Sequence, residues 1–267
     1  VVLSDLQSSL GLDTSGVVGL LIISLVFGMG GAFISLAMSK AIAKRMVGAQ
    51  VIDQPRNDAE RWVLDTTHRL ADQAGIGRPE VAIYDSPDLN AFATGARRDD
   101  ALVAVSTGLL RSMRPNEAEA VLAHEVSHIA NGDMVTLTLI QGVLNTLVIF
   151  LSRILGRLVD QVVFRRDSPG IGYFFISILF QIVLGFFAMM IVRAFSRHRE
   201  FRADAGGGQL TSNEDMAQAL ERLRSNAPAD LPEQVEAMGI RGGKATGLQA
   251  LLMTHPPIED RIAALRS

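Results

Sequence analysis

Three stretches of this chain carry no Asp, Glu, Lys or Arg for long enough to concern a lipid bilayer: Thr14 to Ser39 (26 residues), Met134 to Ser152 (19) and Ser168 to Val192 (25). A helix needs about 20 apolar residues to cross the hydrocarbon core, so the first and third stretches predict membrane spans. The middle one holds Thr136, Thr138, Gln141, Asn145 and Thr146, and both a full span and a buried core helix stay open for it. A mean hydropathy of +0.26 agrees with this reading and excludes intrinsic disorder. Twenty-five basic residues against 28 acidic ones leave no basic footprint for nucleic acid. With no cysteine, disulfides, thiolate metal sites and cysteine nucleophiles are excluded.

The apolar stretches divide the chain into four parts: a linker with an N-terminal span over 1–39, a soluble block over 40–133, a helical hairpin over 134–192 and a second soluble block over 193–267. Val1 to Leu12 reads as linker, and because the chain starts at Val1 the natural protein is expected to extend further N-terminally, with a further apolar segment. In the first soluble block, Asn57 followed by Glu60 resembles a capping box opening a helix to about Ala74, stopped by Gly75. Val81 to Tyr84 and Leu102 to Ser106 are short β-prone runs. Asn116 with Glu119 predicts the start of a helix through Ile129 that closes near Gly132. The tail reads as helices separated by Gly206-Gly207-Gly208 and by Gly242-Gly243.

Lys40, Lys44 and Arg45 follow the first stretch, and Arg193, Arg197, Arg199 and Arg202 follow the third. Basic residues beside apolar ends mark the cytoplasmic side, so both soluble blocks are placed there. The connection 153–167 opposes that assignment with Arg153, Arg157, Arg165 and Arg166 against Asp160 and Asp167, unless its arginines snorkel at the interface.

The sharpest chemical signal is His124-Glu125-Val126-Ser127-His128, within the second predicted helix. Histidines four apart on a helix differ by about 40° in azimuth, so both rings leave one face and can reach one metal ion. Glu125 borders that face and is placed to take a proton from an attacking water. A catalytic zinc needs a third protein ligand and an open position. Of the remaining histidines, His68 has no motif partner and reads as surface or half-buried. Glu200 and Asp204 share a helical face among four arginines, which is either a salt-bridged helix or a ligand followed by a group orienting a ligand histidine. His198 lies about 200° from Glu200, so the two do not bind one metal. Two apolar stretches separate His128 from Glu200, so two crossings would return the chain to the same side.

The run His124 to Asp133, the run Ser196-Arg197-His198-Arg199-Glu200-Phe201 with Asp204, the run Leu89 to Gly95 and the run Thr254-His255-Pro256-Pro257-Ile258-Glu259-Asp260-Arg261 occur in one order that resembles the HtpX family of bacterial membrane zinc metallopeptidases. These are heat-shock relatives of the endopeptidase that processes prenylated proteins. The resemblance covers nearly the whole chain. It implies one Zn²⁺ per chain held by His124, His128 and Glu200, with Asp204 behind them and Glu125 as general base. It also implies that Asn90, Ala91, Phe92 and Ala93 form an edge strand that pairs with extended substrate, where composition alone gives an ordinary loop or edge strand. His255 and Arg261, otherwise a proline-delimited turn capping the last helix, would approach the active site, His255 donating to the oxyanion and Arg261 anchoring substrate backbone or the acidic cluster. Family members carry a further N-terminal apolar segment, which the natural protein is expected to carry ahead of Val1.

The expected architecture is mainly α with a small β edge sheet, a zincin-type helical core fused to transmembrane helices. The expected activity is cytoplasmic-face hydrolysis of misfolded or damaged inner-membrane proteins, with the lipid bilayer as a partner and without nucleic acid. Gly28, Gly30, Gly31 and Ala32 suggest close helix packing, either within the bundle or in self-association, and cooperation with other membrane quality-control proteases fits the same reading. A transport or scaffold protein with a structural zinc is the alternative, opposed by the intact Glu125 and the absence of cysteine. Narrow processing of one substrate is a third.

Overall fold

The computed structural model describes residues 14–164, 170–225 and 255–267. Val1 to Leu12, Arg165, Arg166, Asp167, Ser168, Gly242, Gly243 and Thr254 lie outside these. In chain order the helices and strands are α1 (Thr14–Leu25), a π-turn (Val26–Gly30), α2 (Gly31–Val47), β1 (Gln50–Val51), α3 (Asp58–Gln73), β2 (Glu80–Tyr84), β3 (Ala91–Arg97), β4 (Asp100–Ser106), α4 (Thr107–Ser112), α5 (Pro115–Asn131), α6 (Asp133–Phe164), α7 (Ile171–Leu210), α8 (Asn213–Ser225) and α9 (Ile258–Leu265). The architecture is mainly helical with a small open sheet. By compactness the chain forms two units, residues 1–35 with 137–192 and residues 36–136 with 193–267.

Among the described residues, three helices are long and apolar enough to cross a membrane, Ser15–Val47, Asp133–Phe164 and Ile171–Leu210, and their apolar parts make up the first unit. The middle one is longer than its uncharged stretch. At 32 residues it is long enough to span, and the uncharged window underestimates it because the helix continues through Arg153, Arg157 and Asp160. Residues 153–164 are therefore helix, not an interhelical loop. Arg157 and Asp160, one turn apart, lie 3.8 Å from each other, both buried. Of the glycines in the first span, Gly28 serves packing within the bundle, since a Cβ there would sit 2.5 Å from the main-chain N of Thr146. Gly30 and Gly31 have nothing within 4 Å.

The second unit is built on a four-stranded sheet in the order β1-β2-β4-β3. β2 and β4 run parallel, and β1 and β3 flank them antiparallel. Among the described residues β3 thus has one open edge. Its register shifts between Thr94 and Arg97, at a Gly95 with φ +154. One face of the sheet buries Val81, Val103 and Val105 against α3, α5 and α8, through Leu70, Leu122, Val126 and Leu220. Helix α3 begins as its sequence predicts: Asn57 Oδ1 accepts from Glu60 N at 2.8 Å. Helix α5 does not begin at Asn116. Pro115 occupies its first turn, where a missing N–H costs nothing, and Glu117 accepts from Arg114 N at 2.8 Å. Asn116 instead donates to Asp215 at 2.7 Å. Gly132, with φ 67, ends α5 in the left-handed conformation that favours glycine.

The triple glycine 206–208 is not a break. It lies inside α7, where each side chain that is missing makes room. A Cβ at Gly207 would stand 3.1 Å from His124 N, and one at Gly206 would meet the Ser127 hydroxyl. The glycines let α7 lie against α5, and that approach assembles the site.

Candidate metal centre

Helix α5 is buried along the face that carries His124, Glu125, Val126 and His128. Its 3.6-residue repeat stacks the two imidazoles, whose Nε2 atoms stand 3.1 Å apart. From α7, Glu200 brings Oε1 to 3.4 Å of His128 Nε2 and Oε2 to 3.6 Å of His124 Nε2. Donors on a tetrahedral zinc, each at about 2.0–2.1 Å, are separated by roughly 3.3 Å. The three side chains therefore fit a single ion, and theirs is the grouping among the described residues able to hold one. Glu200 is 1% exposed, and its Oε1 has no hydrogen-bond donor among the described residues. A buried carboxylate oxygen without a donor is costly, and a cation relieves it.

The outer nitrogen of each imidazole faces a carboxylate. His128 Nδ1 meets Asp133 Oδ2 at 2.7 Å, and His124 Nδ1 stands 3.0 Å from Asp204 Oδ1, although its N–H is not aimed along that line. Such partners fix the ring orientation of metal-binding histidines. Both acids are held in turn. Arg261, buried on α9, grips Asp204 with two bonds of 2.7 and 2.6 Å, and Arg202 pairs with Asp133. Asp133 escaped the sequence reading as a site residue. The signal was its place beyond the Gly132 turn, five residues after His128, where a left-handed cap folds the chain back toward the histidine. Burial works against charge on His128, but the carboxylates of Asp133 and Glu200 beside it outweigh that and push its pKa up to about 9. His124 is raised for the same reason by Asp204 and Glu200.

A cleft of about 130 Å³ opens beside this cluster. Asn90, Ala91, His124, Glu125, Glu200, His255 and Arg261 line it together with an apolar wall that includes Leu109, Val121, Met216 and Leu220. His255 Nδ1 lies 2.9 Å from Glu200 Oε2, with its side chain 61% exposed. Ala93 continues β3 along the core-facing side, and Phe92 turns to the other face against Tyr84, their ring centroids 5.8 Å apart. His68 is remote, its Nε2 3.1 Å from Pro79 O. His198 is exposed on the far face of α7.

A helix-borne His pair with a glutamate between them, an acidic third group from a second helix and three apolar spans define a membrane-embedded zincin-type metallopeptidase. Comparison with known proteins gives the same result. Peptidase family M48 matches residues 57–267. Protease HtpX of Alkalilimnicola ehrlichii is 59% identical over 275 residues, covering all of this chain and 91% of that protein. Protease HtpX of Xanthomonas campestris pv. campestris is 56% identical over 264 residues, covering 98% and 90%. The crystal structure of S. mikatae Ste24p shares the fold, with a TM-score of 0.69 at 19% identity, over 98% of this chain and 61% of that one. The chain belongs to peptidase family M48, among the HtpX proteases. It is a multi-pass inner-membrane zinc metalloendopeptidase of stress-linked quality control, cutting damaged membrane proteins with a catalytic part that faces the cytoplasm.

Proposed function

We propose that one Zn²⁺ per chain is held by His124, His128 and Glu200, and that Glu125 is the general base of peptide hydrolysis. The observation that carries this is the convergence of two Nε2 atoms and one carboxylate within 3.6 Å of one another. The ion supplies Lewis acidity, polarising the attacking water and the scissile carbonyl. Glu125, in the cleft and next to His124, takes one proton from water as its oxygen bonds to the carbonyl carbon. It then delivers that proton to the amine nitrogen as the C–N bond breaks, so no covalent enzyme intermediate forms. His255, its Nδ1 2.9 Å from Glu200 Oε2, is placed at the cleft to donate to the carbonyl oxygen as negative charge develops there. Arg261 is spent on Asp204 and nearly fully buried, which favours anchoring the acidic group over binding substrate.

Substrate lies along the open edge of β3, over Asn90, Ala91, Phe92 and Ala93. Pairing through main-chain groups gives affinity with little sequence preference, which suits the clearance of varied damaged proteins near the bilayer. The catalytic blocks 40–133 and 193–267 then act as one body, a reading supported by their shared compact unit.

The test is cleavage of an unfolded model protein by detergent-purified enzyme with added Zn²⁺, beside Glu125→Gln. The expected result is cleavage by the wild type, a loss of roughly 10²–10⁴-fold in the variant, and one zinc bound by each. Equal cleavage by both would remove Glu125 from the chemistry.

A further inference from the structure

We infer that Ser106 is a positioning residue for substrate: its hydroxyl stands in for a main-chain carbonyl at the end of β4 and so fixes which backbone groups of β3 face outward beside the metal. The inference rests on the proposed pairing of substrate with β3. A serine hydroxyl has one donor and two acceptor sites, and Ser106, fully buried, fills all three. It donates to Asp88 O at 2.6 Å and accepts from Asn90 N and Leu109 N, each at 3.1 Å.

Its main-chain N–H donates to Asn90 O at 2.9 Å. In a regular antiparallel pair, Asn90 N–H would return a bond to the carbonyl of Ser106. Ser106, however, is the N-cap of α4, and the carbonyl of an N-cap is committed to its helix. The Oγ takes its place and extends the pairing one residue past the point where β4 turns into a helix.

That bonded pair sets the alternation. Phe92 is opposite Ala104 and Thr94 opposite Leu102, so their main-chain groups point toward β4 as those of Asn90 do. Ala91 and Ala93, opposite Val105 and Val103, turn theirs to the open edge. Ala91 also lines the cleft with His124 and Glu125. The loop before β3 is fastened by the next two residues. Thr107 donates to Asp85 at 2.9 Å, Gly108 N donates to Ser86 O at 2.8 Å, and a Cβ on Gly108 would fall 2.2 Å from Pro87 O. Ser106 thus sits where a fixed loop, the edge strand and the cleft meet, without touching any metal-binding side chain.

The test measures KM and kcat of detergent-purified enzyme on fluorescein-labelled casein, together with zinc content. Ser106→Ala is expected to raise KM about tenfold, the worth of a hydrogen bond or two, with kcat within about twofold and zinc stoichiometry unchanged. Ser106→Thr, which keeps the hydroxyl, should restore KM. A raised KM shared equally by both variants, or an unchanged KM in a folded Ser106→Ala, overturns the inference. Should Ser106→Ala fail to fold, the phase decides. Ala91→Pro removes an outward N–H and should fold with raised KM, whereas Phe92→Pro removes an inward one and should unfold. The reverse pattern overturns the inference. Casein left uncut by the wild type would instead count against the proteolytic reading on which this rests.

Discussion

At the scale of single residues, the site is a layered electrostatic structure in which each imidazole is oriented by an acid and each acid by an arginine. Removing an outer partner should therefore weaken metal binding without removing a ligand. Asp133→Asn is expected to reduce zinc affinity by about 10–100-fold, measured by competition with a chromophoric chelator. Wild-type affinity in that assay would show that Asp133 does not orient His128. The raised pKa of His128, about 9, gives a pH dependence with a definite sign. Below that value the metal-free site keeps its proton, which zinc must displace. Zinc affinity should rise by about tenfold per pH unit between pH 7 and 9 for this proton alone, and a flat titration would mean His128 is already neutral. Chelated protein should show the opposite trend. A histidine raised from about 6.5 stabilises the fold fully below its unfolded value, and that contribution is lost as pH rises through about 9. The histidine pair was legible because both residues sit on one regular helix, where spacing dictates geometry. Asp133 lies across a left-handed turn, and no helical period projects through that.

Elements show where tertiary packing overrides local preference. Glycine costs about 1 kcal/mol in a helix interior relative to alanine, so three in a row read as a break, yet α7 runs through Gly206-Gly207-Gly208 to Leu210. What offsets the loss is the close contact with α5 at His124 and Ser127. Gly207→Val should push α7 away from α5, because the nearest atom is the main-chain N of His124 at 3.1 Å, which cannot move aside, with Met216 Sδ at 3.2 Å and His124 Cα at 3.3 Å behind it. A destabilisation of about 1–3 kcal/mol is expected, with weaker zinc binding although every ligand is present. Gly30→Val, which meets nothing within 4 Å, should melt like the wild type. Equal melting temperatures and zinc affinities for the two variants would deny the glycines that role. The start of α5 teaches the same lesson in reverse. Asn116 and Glu119 have the right spacing for a capping box, but Pro115 and Glu117 place the start nearer Arg114, and Asn116 is taken by Asp215 on α8. A contact 99 residues away leaves no mark on local sequence. The sheet was more legible, since β2 and β4 are continuous apolar runs, whereas β3 owes its strand to its neighbour.

For the molecule as a whole, charge and helix length disagree until the helices are placed. Arg153, Arg157, Arg165 and Arg166 with Asp160 and Asp167 read as an arginine-rich connection on the wrong side, but of these Arg153, Arg157 and Asp160 belong to α6, where Arg157 and Asp160 are buried as a pair. A paired charge inside a helix bundle does not vote on orientation as a free loop charge does, so Lys40, Lys44 and Arg45 after the first span and the arginines after Val192 set the direction. Of these, Lys40 and Lys44 also bind Glu80, at 2.9 and 3.0 Å. That direction fixes which positions meet the cytoplasm, and the absence of native cysteine makes it readable with single substitutions. Arg78→Cys, on the exposed end of the α3–β2 turn, should be shielded from a membrane-impermeant maleimide in intact cells and react after lysis. Gly170→Cys, between α6 and α7, should react before lysis. Labelling of Arg78→Cys in intact cells would invert the orientation and place the metal site outside the cytoplasm. Two crossings between His128 and Glu200 keep the ligands together under either direction, so the same labelling separates the assembly of the site, which needs only an even number of spans, from its access to cytoplasmic substrate, which needs the orientation as well.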